Sequence, residues 1–147
     1  MKLYYRPGTC SLAAHIILHE AGFTFEIDKL DKTTQRTASG EDFAAINPKG
    51  YVPALRLDDG QVLTEGVVIL QYLADQKPES GLAPRAGTLE RYRLMEWLNF
   101  VATEIHKTFS PLFRPNISPE MKEAQLTLLA RRLDYVEQSF GAKPYLM

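Results

Sequence analysis

Two periods of apolar residues alternate along this chain, and the switches between them mark out its elements. Leu3 to Tyr5 is a short apolar run of strand type. Leu12, Ala13, Ile16, Ile17 and Ala21 then recur at helical spacing, with Gly22 supplying the stop. Phe23, Phe25 and Ile27 alternate with Thr24 and Glu26, which predicts a second strand. Strand, helix and strand make a crossover unit, and such units favour parallel, right-handed pairing. A short helical piece is expected over Glu41 to Ile46, closed by the turn Asn47-Pro48-Lys49-Gly50. Val52 to Leu57 and Gln61 to Leu63 predict two more strands, joined by the hairpin turn Asp58-Asp59-Gly60. Thr64-Glu65-Gly66 leads into an apolar helix, Val67 to Ala74.

This order is that of a thioredoxin-like α/β domain, placed at residues 1–77. Lys77 to Arg85 carries Pro78, Gly81 and Pro84 without apolar periodicity, so residues 78–87 read as a linker. Residues 88–147 are all-helical in character. Thr88 to Phe109 predicts one helix of roughly 33 Å at 1.5 Å per residue, with Leu94, Trp97, Leu98, Val101 and Ile105 as its apolar stripe. Ser110-Pro111 and Pro115 break it. Ser118-Pro119 pairs an N-cap with a first-turn proline and opens a second helix, whose face is Leu126, Leu129, Leu133, Val136 and Phe140 before Gly141 ends it.

Composition narrows the function classes. The 147 residues allow one large domain or two small ones. Basic and acidic residues, 17 and 18, are well mixed and give a net charge of −1, so nothing points to nucleic acid or an anionic membrane. No stretch approaches the ~20 apolar residues of a membrane span. A single cysteine excludes an internal disulfide and fits a reducing compartment, which makes the cytoplasm the expected location. Three histidines and that cysteine show no ligand spacing, so no metal is expected.

That cysteine, Cys10, is the main chemical signal. It follows a strand and the tight loop Arg6-Pro7-Gly8-Thr9, and it opens a helix. Unpaired N–H groups and the dipole at a helix N-terminus favour a thiolate over a thiol. Equally, a lone cysteine is commonly just a small buried hydrophobe. Val52-Pro53 stands at the start of the third strand, where a proline is tolerated because it costs no ladder bond. Glu65 and Gly66 sit at the mouth of a helix. Thr64 is available there as the N-cap, and the alternative use of the pair is a corner binding an anion and an amine. Asn99, Thr103 and His106 fall at i, i+4 and i+7, so they share one face of a regular helix, a solvated face or one that closes over the cysteine domain. Tyr5, His15 and His19 read more simply as core or helix-surface residues.

Taken together these segments resemble a known family. Tyr5-Arg6-Pro7-Gly8-Thr9-Cys10-Ser11-Leu12, Asn47-Pro48-Lys49-Gly50-Tyr51-Val52-Pro53-Ala54-Leu55, Leu63-Thr64-Glu65-Gly66, Glu96-Trp97-Leu98-Asn99-Phe100 and Glu104-Ile105-His106-Lys107 are similar to motifs of the bacterial beta-class glutathione S-transferases. The resemblance implies a glutathione transferase that presents the tripeptide's thiolate to a small, largely apolar electrophile, with glutathione as co-substrate and no metal. It implies that Cys10 contacts the glutathione sulfur and can hold it as a mixed disulfide, and that Ser11 is a second donor to a thiolate. Val52 would pair its backbone with the cysteinyl part, which requires Pro53 to be cis. Glu65 and Gly66 would hold the γ-glutamyl end. Asn99, Thr103, Glu104 and His106 would line the cleft, with His106 and Lys107 near the sulfur. A homodimer is the family's usual state.

Two departures accompany the resemblance. Many relatives carry a lysine where this chain has Gln35, whose partner is the glycine end of glutathione. Gln35 offers a hydrogen bond without a charge unless Lys32 or Arg36 substitutes. Relatives also continue into further helices, so the chain reads as truncated in its helical domain. The alternatives are a glutathione-dependent thiol reductase or dehalogenase and a non-catalytic interaction module of the same fold. The absence of a Cys-x-x-Cys pair argues against a dithiol oxidoreductase.

Overall fold

The computed structural model describes residues 1–147, which divide into two compact units, Met1–Ala86 and Gly87–Met147. In the first unit, strands β1 (Lys2–Tyr5), β2 (Glu26–Lys29), β3 (Ala54–Arg56) and β4 (Val62–Thr64) form one mixed sheet in the order β2-β1-β3-β4. β1 and β2 pair in parallel, with Leu3 opposite Ile27. β3 is antiparallel to β1, with Leu55 opposite Leu3, and β4 is antiparallel to β3. Helices α1 (Ser11–Glu20), α2 (Phe43–Ile46) and α3 (Gly66–Gln76) complete the unit.

The period-2 alternation of the central strands splits the core in two. Leu3 and Leu55 join Ala14, Leu18, Ile69 and Leu73 from α1 and α3 on one face. Tyr4 and Ala54 join Leu30, Phe43 and Val52 on the other. The second face also holds a polar network. Tyr4 donates from its hydroxyl to Glu41 Oε2 at 3.1 Å, and Arg56 Nη2 donates to Glu41 Oε1 at 2.9 Å. Buried Asp28 accepts from the Ser39 hydroxyl at 2.5 Å. Burial pushes the Tyr4 phenol well above its usual range, and its bond to Glu41 adds to this.

Within the first unit the observed elements correct the expected ones at three places. The second strand begins at Glu26, not Phe23. Phe23 and Phe25 still pack against the first core cluster, but they lie in the lead-in, and the strand's one buried side chain is Asp28. Helix α1 turns Ala14 and Leu18 inward and leaves Leu12 and Ile16 at 58% and 52% exposure. A helix that is apolar nearly all round has no preferred face until its packing partners choose one. Third, the N-cap of α3 is Glu65 itself, in a left-handed conformation at φ 68°, and Thr64 does not cap it.

Pro78–Ser80 forms a single 3₁₀ turn after α3. In the second unit, α4 (Leu89–Phe100) starts at Thr88, whose hydroxyl accepts from Arg91 N. The predicted helix to Phe109 is not regular. Val101–His106 is a π-helical turn, followed by the short α5 (Lys107–Phe109) and a 3₁₀ turn, Ser110–Phe113. Helix α6 (Pro119–Phe140) begins at the expected Ser118-Pro119 pair, with the Ser118 hydroxyl accepting from Met121 N at 3.2 Å. No helix is long and apolar enough to cross a membrane.

Candidate functional site

Loop geometry delivers Cys10 to the N-terminal end of α1, where it occupies the N-cap position with an exposed thiol. Its Sγ donates to the carbonyl oxygen of Val52 at 3.6 Å. Val52-Pro53 is a cis peptide bond, so the thiol and the backbone that precedes the third strand lie side by side. The loop before Cys10 is held by hydroxyls. Thr9 Oγ1 donates to the Arg6 carbonyl at 2.8 Å, and Ser11 Oγ accepts from Arg6 N at 3.1 Å. Ser11 is fully buried and also hydrogen-bonds to Thr9 at 2.8 Å. Its hydroxyl thereby holds the loop that positions Cys10.

The second element is the turn before Val52. Asn47, 2% exposed, donates from Nδ2 to the Tyr51 carbonyl at 2.8 Å and accepts from Lys49 N at 3.2 Å. Gly50 takes a positive φ of 74° in this turn, a conformation open to glycine. The anchored turn places Lys49 and Tyr51 on Glu65. Lys49 Nζ donates to Glu65 Oε1 at 2.6 Å and to Thr64 Oγ1 at 3.0 Å, while the Tyr51 hydroxyl donates to the same Oε1 at 2.9 Å. The hydrogen bond to Glu65 raises both the Lys49 ammonium and the Tyr51 phenol above their ordinary values. Gly66 follows as the first residue of α3, over Pro53, and a Cβ there would meet Pro53 Cγ at an ordinary 3.8 Å. Cys10, Val52, Pro53, Glu65 and Gly66 therefore belong to one sheet end, where the start of α3 and its dipole suit an anion, while the first N–H groups of α1 are bonded to Thr9 and Cys10.

Gln35 is also in this unit, at φ 55°, in a loop tied down by Asp31. Its Nε2 donates to the Lys32 carbonyl at 2.9 Å, so part of its donor capacity serves its own loop. Arg36 donates to the Gly40 carbonyl at 3.0 Å.

The remaining expected residues lie in the second unit. Asn99, Thr103, His106 and Lys107 are exposed. The shared face expected from their spacing assumed 3.6 residues per turn. The π turn between Asn99 and His106 adds about one residue to the path, which rotates the residues beyond it by roughly 100°. Thr103 donates to the Asn99 carbonyl at 3.0 Å, and Thr108 to the Glu104 carbonyl at 2.5 Å. Glu104 Oε2 pairs with Arg132 Nη2 of α6 at 2.7 Å, a tie within the second unit. Sequence reasoning assigned no role to Lys49 or Tyr51. The signal was present in Lys49-Gly50-Tyr51, a cation and a phenol flanking a glycine ahead of a strand.

Comparison with known proteins finds relatives over most of the chain. Residues 8–76 match the glutathione S-transferase N-terminal domain. The chain is 50% identical over 139 residues to glutathione S-transferase GstA of Escherichia coli O157:H7, covering 95% of this chain and 69% of that protein. It is 40% identical to glutathione S-transferase GST-4.5 of Xanthomonas campestris pv. campestris over 77% of this chain and 53% of that one. Among solved structures, the ternary complex of BphK, a bacterial glutathione S-transferase, matches 99% of this chain and 73% of its own at 53% identity and a TM-score of 0.96. A sphingomonad glutathione S-transferase complexed with glutathione matches 95% and 70%, at 49% identity and a TM-score of 0.92.

Proposed function

The chain belongs to the glutathione S-transferase family, and from that premise we propose that it binds glutathione at the sheet end around Cys10 and transfers its thiolate to small, largely apolar electrophiles. The observation that carries this reading is the meeting of Cys10 Sγ with the Val52 carbonyl beside cis Pro53, with Glu65 and Gly66 at the neighbouring helix mouth. Glutathione, as an extended tripeptide, pairs its cysteinyl backbone with Val52. Its γ-glutamyl carboxylate faces the N–H groups of α3, and its ammonium faces Glu65. The chemistry is positioning of a thiolate in reach of an electrophile. Gln35 serves the glycine end. Ser11 acts through the loop that carries Cys10, while Asn99, Thr103, His106 and Lys107 enter through the family resemblance.

The exposed thiol supports a second use of the same site, glutathione-dependent reduction or dehalogenation. Cys10 thiolate attacks the glutathione sulfur of a glutathione–substrate mixed sulfide, forming the Cys10–glutathione disulfide and releasing the substrate group, which takes a proton. A second glutathione thiolate then displaces Cys10 and leaves as glutathione disulfide. The lone cysteine supports a reducing, cytoplasmic location, and the assembly proposed is a homodimer.

Retention on immobilised glutathione, followed by mass analysis of Cys10 for a glutathione adduct, tests the binding reading. Cys10→Ala separates the two chemistries. Conjugation to a model electrophile persists, because glutathione's own thiol is the nucleophile, whereas the adduct and any reductase activity disappear. Loss of all conjugation in that variant would place Cys10 in the transfer step itself.

A further inference from the structure

The carboxylate assigned above to the ligand's ammonium already carries an ammonium of the protein's own. Lys49 Nζ lies 2.6 Å from Glu65 Oε1, and both side chains are about half exposed at the mouth of the site. This pair is built rather than incidental. The turn that carries Lys49 is pinned by buried Asn47 on both sides, and Tyr51 adds a second donor to the same oxygen. Thr64, one residue before Glu65, accepts from the same ammonium, so two of its three N–H groups are engaged.

We propose that Lys49 is a specificity-determining residue that makes the site select a zwitterionic α-amino-acid head over a head bearing a single charge. The inference rests on the reading of this sheet end as a glutathione site. A ligand that brings only an ammonium competes with Lys49 for Glu65 and leaves one cation without a counter-charge. A ligand that brings only a carboxylate draws on Lys49 and leaves Glu65 short of its partner. A zwitterion brings both charges at once: its ammonium goes to Glu65 and its carboxylate to the third N–H of Lys49, so one ion pair becomes two. Selectivity built this way comes from what the wrong ligand leaves unpaired, as much as from what the right one gains. Tyr51 keeps the Glu65 carboxylate in place through the exchange, because its phenol is a neutral donor and does not compete for charge.

The test is calorimetric titration of the full chain with three ligands. They are glutathione, its N-acetyl derivative (no ammonium) and the 4-aminobutanoyl analogue of the tripeptide (no α-carboxylate). The wild-type protein binds each single-charged analogue weaker than glutathione by on the order of tenfold or more, the size of one charge-assisted hydrogen bond. In Lys49→Gln the penalty on the analogue without the carboxylate shrinks by about threefold or more, the N–H groups of α3 keeping the remainder, while the penalty on the N-acetyl derivative persists. Lys49→Arg keeps the cation and retains the wild-type ratios, which guards against a merely structural effect of the substitution. Unchanged ratios in Lys49→Gln overturn the role of Lys49 and leave the glutathione site standing. No glutathione binding by the wild-type chain overturns both.

Discussion

Glu65 combines two demands at one position. Its φ of 68° lies in the left-handed region, which costs a side chain with a Cβ about 1–2 kcal/mol relative to glycine. Its side chain gives no cap to the helix it begins, and its ion pair with Lys49 is open to solvent, where such pairs contribute little to stability. The backbone alone therefore favours glycine here, whereas the carboxylate accepts from Lys49 and Tyr51 at the mouth of the site. We expect Glu65→Gly to melt at or slightly above the wild-type temperature while glutathione affinity falls roughly 10–100-fold, the loss of one charge-assisted contact. Thermal melts paired with calorimetric titration read both quantities. A variant that melts well below wild type with its affinity intact would make Glu65 a structural residue.

At the scale of elements, the sequence carried the order of elements along the chain, the hairpin and the α6 cap, because each depends on a local period or a punctuating residue. It did not carry which face of α1 is buried, because Leu12 and Ile16 are as apolar as Ala14 and Leu18 and only the sheet decides between them. Nor did it reveal the π turn at Val101–His106, which has no period of its own. The site divides the same way. Cys10, Val52-Pro53 and Glu65-Gly66 were legible as motifs at element ends, whereas the Lys49–Glu65 contact needs a turn and a helix brought together. The loop between β2 and α2 was legible only as a gap, yet it depends on charge. Burial alone pushes the Asp28 carboxyl up, but the Ser39 hydroxyl and amide, Thr37 and Lys2 outweigh it and hold the group below its usual range. Arg56, followed by Tyr4, likewise holds Glu41 down against its own partial burial. Carboxylates lowered on folding stabilise the native state above their unfolded values, near 4. That stabilisation is lost as pH falls through the lower folded values. We expect denaturation midpoints to be flat above about pH 5 and to fall steeply below about pH 4. Ser39→Ala removes the hydroxyl donor that opposes burial, costs about 1.5–3 kcal/mol at neutral pH and moves the acid loss to higher pH. An unchanged acid limb in that variant would show that Asp28 does not report on this loop.

For the whole molecule, the question is where the apolar surface of the second unit goes. Leu129 of α6 is buried, but Leu126 and Leu133, one turn to either side of it, are 46% and 45% exposed, and Val101 in the π turn is 43% exposed. Tyr92, Met95 and Met121 add to the exposed apolar set on the same unit. Contiguous apolar patches of more than a few hundred Å² are uncommon on stable monomers and mark association surfaces. At about 25 cal/mol per Å², covering even about 400 Å² of such surface is worth on the order of 10 kcal/mol, comparable to a domain's entire net stability. We therefore expect the chain to sediment as a homodimer at micromolar concentration, with a melting temperature that rises with protein concentration, as mass action requires of a stability supplied by a partner. Leu126→Glu together with Leu133→Glu should lower the association constant at least tenfold, the expected size of losing two buried leucine contacts. The core of the first unit should stay intact in that variant, as hydrogen exchange at β1 and β3 would report. A monomer whose melt is cooperative and independent of concentration would show that these apolar residues are tolerated at the surface, and the homodimer would fall with it.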